Sequence, residues 1–137
     1  MTNLPLAKQD APNAIPVAEQ VAALLKARTF ELAAKYCDGD LTLLDERWTV
    51  TITDLIQYVK ENGIPSWVRT CPETFDGIYL LQSNSTWLVY EQERGEIYNE
   101  SRKTFDSYNH ALAHMLQTYY MPTPTKHSAY DSNPNTQ

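Results

Sequence analysis

The chain has 137 residues, 42% of them hydrophobic and 20% charged, a composition that belongs to ordinary folded domains and excludes fibrous and wholly disordered classes. No apolar run reaches the length that spans a bilayer, and two cysteines, Cys37 and Cys71, are too few for a disulfide framework or a cysteine zinc site. The net charge of −6 sets the surface against phosphate, which disfavours nucleic acid and favours a neutral or basic partner.

The start of the chain lacks a basic stretch followed by an apolar one, so no secretory leader is expected and a cytoplasmic location follows. Residues 1–15 mix Pro, Asn, Gln and small side chains and read as a flexible arm. Pro16 suits the first turn of a helix. Val17, Val21, Leu24, Leu25, Leu32 and Tyr36 then mark an apolar helical face, with Glu31 and Lys35 as an i,i+4 pair. Arg28-Thr29 interrupts that face, which allows two shorter helices, and Gly39 supplies a C-terminal cap. Residues 41–45 fit one helical turn. Trp48 and Val50 alternate with threonines as a strand does. Ile52, Leu55, Ile56 and Val59 then follow helical spacing from about Thr53 to Asn62, ended by Gly63 and Pro65.

Residues 66–76 carry Trp67, Val68, Cys71 and Phe75 without a period, so a loop folded onto the core through its aromatic side chains is expected. Residues 78–81 are apolar on both faces and form a first strand. Gln82-Ser83-Asn84-Ser85 makes a hairpin link in which Asn84 tolerates a left-handed turn. A second strand runs over Trp87 to Gln92, Arg94-Gly95 turns the chain, and a third strand runs from Glu96 towards Phe105. Tyr108, Ala111, Leu112, Met115, Leu116 and Tyr119 give the clearest helical stripe of the chain, capped by Asp106 or Ser107 and stopped by Pro122. Residues 122–137 have almost nothing to bury and read as a disordered tail. The expected architecture is α+β: one domain over 16–121, with a helical N-terminal half, an antiparallel meander and a packed C-terminal helix.

Chemistry-bearing residues are sparse. His110 and His114 lie one helical turn apart, the spacing of a shared metal, but no third ligand accompanies them. Cys37 has acidic neighbours in Asp38 and Asp40, which oppose a thiolate nucleophile. Four scattered glycines make no phosphate-cradling loop. No catalytic residue, cofactor site or metal site is therefore assigned. A binding role has more support. Residues 51–121 hold nine acids against five bases, and the acids Asp76, Glu91, Glu93 and Glu96 interleave with Tyr90 and Tyr98 along the meander. Acids steer a basic partner and aromatic rings anchor it, so these six residues together with Arg94, seven in all, are the candidate contact surface.

The second half also carries a resemblance. Thr51-Ile52-Thr53-Asp54-Leu55, Asn62-Gly63-Ile64-Pro65 and Tyr79-Leu80-Leu81 come in order, followed by Trp87-Leu88-Val89-Tyr90-Glu91-Gln92-Glu93-Arg94-Gly95 and Phe105-Asp106-Ser107. This arrangement resembles immunity proteins of bacterial polymorphic-toxin and contact-dependent inhibition systems. It covers residues 51–120, while residues 1–50 have no counterpart and the last helix opens on Asn109-His110 instead of acidic residues. The resemblance implies a protein that neutralises one cognate toxin domain, a nuclease among the candidates, by direct stoichiometric binding without catalysis. Two other roles fit the same sequence: a chaperone or adaptor for a secreted effector, and a small metal-dependent hydrolase using His110 and His114.

Overall fold

The computed structural model describes residues 14–122, and the expected arm and tail lie outside the described residues apart from Ala14, Ile15 and Pro122. The α+β class is observed: among the described residues five helices accompany a four-stranded mixed sheet. The span expected to form one domain clusters into two compact units, one built on residues up to 51 and from 121, the other on 52–120.

The first unit is helical, with α1 at Val17–Leu25, α2 at Thr29–Tyr36 and α3 at Leu41–Asp45. The break between α1 and α2 is a turn in which Ala27 takes φ 56° and the Arg28 N–H reaches back to the Ala23 carbonyl at 2.8 Å. Asp40 caps α3 by accepting the N–H groups of Thr42 and Leu43 at 2.9 and 3.2 Å. Ala23, Leu32, Ala33, Cys37 and Leu44 close over Ile15 as a core. The expected Glu31–Lys35 pair does not form. Lys35 Nζ instead meets Glu19 at 3.0 Å, and the Tyr36 hydroxyl donates to the same carboxylate at 2.8 Å. Those two hydrogen bonds hold the Glu19 carboxyl below its usual range, and Glu31 faces Arg28 at 4.0 Å.

The strand expected around Trp48 and Val50 is also absent. Its backbone groups are occupied by a side chain: the fully buried amide of Gln20 accepts from Thr49 N–H at 2.9 Å and Val50 N–H at 3.0 Å. The same amide donates to Thr49 Oγ1 and to the Ile15 carbonyl, each at 2.8 Å. Extended chain that has found its partners in this way needs no neighbouring strand.

The second unit begins with α4, Ile52–Asn62, which starts one residue earlier than expected and ends at Gly63 with φ 98°. The strands follow: β1 Val68–Arg69, β2 Gly77–Ser83, β3 Thr86–Glu93 and β4 Glu96–Phe105, in that spatial order. β1 runs parallel to β2, and the β2–β3–β4 meander is antiparallel. Asn84 lies at φ 58° in the first hairpin; Arg94 at 56° and Gly95 at 81° make the second, the two left-handed positions that match strand twist. The closing helix α5 spans Tyr108–Tyr119, capped by the Ser107 hydroxyl, which accepts from the His110 N–H at 3.1 Å.

Alternation along the strands sends side chains to two faces. One carries Tyr79, Leu81 and Tyr90, with Leu88 and Ile97 packed against them. The other carries Leu80 and Val89 and receives α5, whose Ala111, Leu112, Met115 and Leu116 are fully buried. Trp87 meets Tyr108 edge-on at 4.9 Å on that side, and Phe105 packs on the His114 ring at 5.1 Å. Among the described residues no helix is long and apolar enough to cross a membrane.

Candidate functional site: the acidic end of the sheet

Where β2 begins, β3 ends and β4 begins, the strand register lines up two rows of side chains. Ile78, Glu91 and Tyr98 are cross-strand partners in one row, and Glu93 faces Glu96 in the next. These rows share the face that α5 covers, and α5 ends beside them: the Tyr119 hydroxyl lies 3.4 Å from Glu91 Oε1. A cleft of about 570 Å³ opens at this end of the sheet, and its lining includes Asp76, Glu91, Glu93, Glu96 and Tyr98 together with Ile78 from the same face and Ile97 from the opposite one. Four carboxylates thus face one recess that no basic side chain lines.

The β3–β4 register breaks between Val89 and Glu91, where β4 bulges. In the bulge the Ser101 hydroxyl accepts the Glu91 N–H at 2.8 Å and donates to the Tyr98 carbonyl at 2.6 Å. A hydroxyl therefore replaces the missing ladder carbonyl, and it sets both Glu91 and Tyr98 in place. The Tyr98 phenol donates to Glu100 at 2.9 Å, and that bond raises its pKa, as do the charge of Glu100, slight burial and Glu91. Burial and then the Glu91 charge push the Tyr119 phenol up to about 12. Both phenols stay neutral and act as hydrogen-bond donors towards carboxylates at physiological pH.

Five of the seven candidate contact residues come together here: Asp76, Glu91, Glu93, Glu96 and Tyr98. Tyr90 does not. Strand alternation turns it to the opposite face, where it is 4% exposed and stacks on Tyr79 at 5.0 Å with ring planes 8° apart. Its aromatic character serves the core, so it is withdrawn from the contact surface. Arg94 takes a different part from the neutralising one that its acidic neighbours suggest, since no ion pair joins it to Glu91 or Glu96 among the described residues. Its main-chain N–H instead donates to Asp76 Oδ1 at 2.7 Å, which ties the β3–β4 turn to the chain entering β2.

The loop before β2 also differs from expectation. Trp67 is 65% exposed and Phe75 58%, so aromatic burial does not hold this loop down. Main-chain carbonyls do: Gln92 Nε2 donates to Glu73 O at 2.7 Å and to Phe75 O at 3.1 Å, and the Tyr79 hydroxyl donates to Phe75 O at 2.6 Å. Exposed Trp67 and Phe75 are a part of the surface that residue type alone does not reveal.

The residues weighed for catalysis lie elsewhere. His110 is exposed on α5, and His114 leans on Phe105 with its pKa lowered by burial and by Lys103. Cys37 is 1% exposed in the helical core, with Arg47 Nη1 4.0 Å from its sulfur. Among the described residues no group of three or more His, Cys, Asp or Glu side chains is placed to hold a metal. In comparisons with known proteins, the chain matches no family model, no curated protein and no solved structure.

Proposed function

We propose that this protein is an immunity factor that neutralises a basic toxin domain in the cytoplasm by direct, stoichiometric binding through the acidic end of its sheet. One observation carries the reading: Asp76, Glu91, Glu93 and Glu96 converge on a single recess without a basic side chain in its walls. Four carboxylates with no basic side chain among them set up a negative field that draws in a positively charged partner. The long-range field raises the association rate, while Tyr98 supplies contact area once water is expelled. A nuclease toxin fits this chemistry because a surface that grips phosphate is basic, and an acidic protein competes with nucleic acid for it.

The test is co-expression with the product of the reading frame immediately upstream. Growth rescue together with a 1:1 complex of the purified pair is the expected result. Growth arrest that persists at equal expression contradicts the proposal. A complex that carries the partner without protecting against its mature toxic domain also contradicts it, in favour of a chaperone.

A further inference from the structure

The two edges of the sheet are unequal. β1 is two residues long, too short to hold another chain, whereas β4 at the opposite edge runs for ten. Among the described residues no strand pairs with the outer side of β4. An open edge of this kind offers main-chain N–H and C=O groups on which a further strand can add. Its charges are also divided along its length, with Glu96 and Glu100 in the first half and Arg102 and Lys103 in the second. Such a strand is complementary to itself: when a second copy lies antiparallel across a two-fold axis, the acidic end of each meets the basic end of the other.

The bulge interrupts that edge. β3 steps two residues from Glu91 to Val89 while β4 steps five from Tyr98 to Lys103, which leaves three residues of β4 in excess. Asn99 and Glu100 are exposed there, and the Ser101 hydroxyl fixes the bulge through the Glu91 N–H at 2.8 Å and the Tyr98 carbonyl at 2.6 Å. Because the Tyr98 carbonyl turns towards β3, alternation sends the main-chain groups of Ile97 to the open side, and those of Thr104 follow suit. Residues 96–98 and 103–105 are what stays in register with β3. Each arm is shorter than the usual strand of about 5–6 residues.

We propose that the bulge is a guard, which keeps the edge of β4 from pairing with β4 of a second copy, the partner that its charges select. The register shows what it prevents. Without residues 99–101, Arg102 follows Tyr98 and stands opposite Tyr90, and the ladder runs unbroken from Glu93–Glu96 to Trp87–Phe105. A two-fold axis at Tyr98 then sets Glu96 against Lys103 of the second copy and Ile97 against its Arg102. Glu96 and Lys103 lie on the same face of the sheet, because their β3 partners Glu93 and Val89 do, so opposite charges come side by side in both halves of the dimer. The three excess residues deny that contact.

The test is sedimentation of the full chain and of a variant lacking residues 99–101. The parent is expected to be a monomer and the variant, folded by circular dichroism, a dimer. Lys103→Glu in the variant weakens the dimer about ten-fold, and Glu96→Lys added to it restores pairing. A folded variant that stays monomeric overturns the proposal, as does a parent that dimerises with slow hydrogen exchange at the Ile97 and Thr104 amides. A variant dimer indifferent to Lys103→Glu also overturns it, since its contact lies elsewhere. A second measurement does not depend on the deletion folding. The peptide acetyl-Glu-Ile-Tyr-Arg-Lys-Thr-Phe-amide, which is β4 without its bulge, is titrated into the parent. Exchange at Ile97 and Thr104 is expected to stay unchanged, and protection of both amides together overturns the proposal.

Discussion

The side-chain carbonyl of Gln20 accepts the main-chain N–H of Val50 at 3.0 Å, joining residues thirty positions apart in the chain. With its bonds to Thr49 and Ile15, this one amide satisfies the extended segment that the helical unit would otherwise leave unpaired. Gln20→Ala strands the buried Val50 N–H and Ile15 carbonyl and the part-buried Thr49 N–H, and costs on the order of 3 kcal/mol in chemical denaturation. Gln20→Glu keeps the shape but sets a carboxylate against the Ile15 carbonyl. Its folded pKa is raised above about 4.3, so the variant is nearest to the parent below that pH and loses stability as pH rises to 7. Equal deficits at pH 4 and pH 7 would show that the amide does not donate to that carbonyl.

Ser101 holds the β4 bulge open. Ser101→Ala removes the acceptor of the Glu91 N–H and costs about 1–2 kcal/mol, with faster hydrogen exchange at the Glu91 amide than at the ladder amides of Val89. Ser101→Thr restores both. Unchanged exchange at Glu91 in the alanine variant would mean that the bulge does not depend on the hydroxyl.

Tyr119 titrates late. Its folded pKa, pushed up to about 12 by burial and by Glu91, exceeds the ordinary value of 10.0. The neutral phenol therefore contributes stability fully below pH 10, and that contribution is lost as pH rises through about 12. Ultraviolet titration should show a late-ionising component near pH 12 that is lost in Tyr119→Phe. In Glu91→Gln it moves to lower pH but stays above 10, because burial is the larger cause.

The sheet and α5 share one core. Leu116 is fully buried, and Leu116→Ala costs about 3 kcal/mol; Trp87, half-buried edge-on against Tyr108, costs about 2 kcal/mol on truncation. A Leu116→Ala protein that melts like its parent would contradict the packing of helix on sheet.

The meander, its two turns and α5 are legible because their signals are local: Asn84 and Arg94-Gly95 between strands, and apolar residues at helical spacing after Ser107. What the sequence hides is non-local. Gln20 is one polar residue on an apolar helix face, and nothing near it announces a partner at Val50. Tyr90 reads as a surface residue in sequence, yet this sheet buries side chains on both faces, so an aromatic residue in alternation does not reveal which side meets solvent. Trp67 and Phe75 look like core residues by type; they are exposed because Gln92 and Tyr79 secure that loop through its carbonyls. Of the cleft, the acids are visible in sequence, whereas the recess they share arises from strand register and the Ser101 bulge.

The most direct measurement of the proposed function is the association rate of a Glu93→Lys, Glu96→Lys variant with the toxin domain, at low and high salt. Both side chains are exposed at the end of the sheet, so the fold persists. The account predicts association at least about ten-fold slower than the parent at low salt, with the gap narrowing as salt screens the field. Rates equal to the parent at both salt concentrations, in a correctly folded variant, would contradict it.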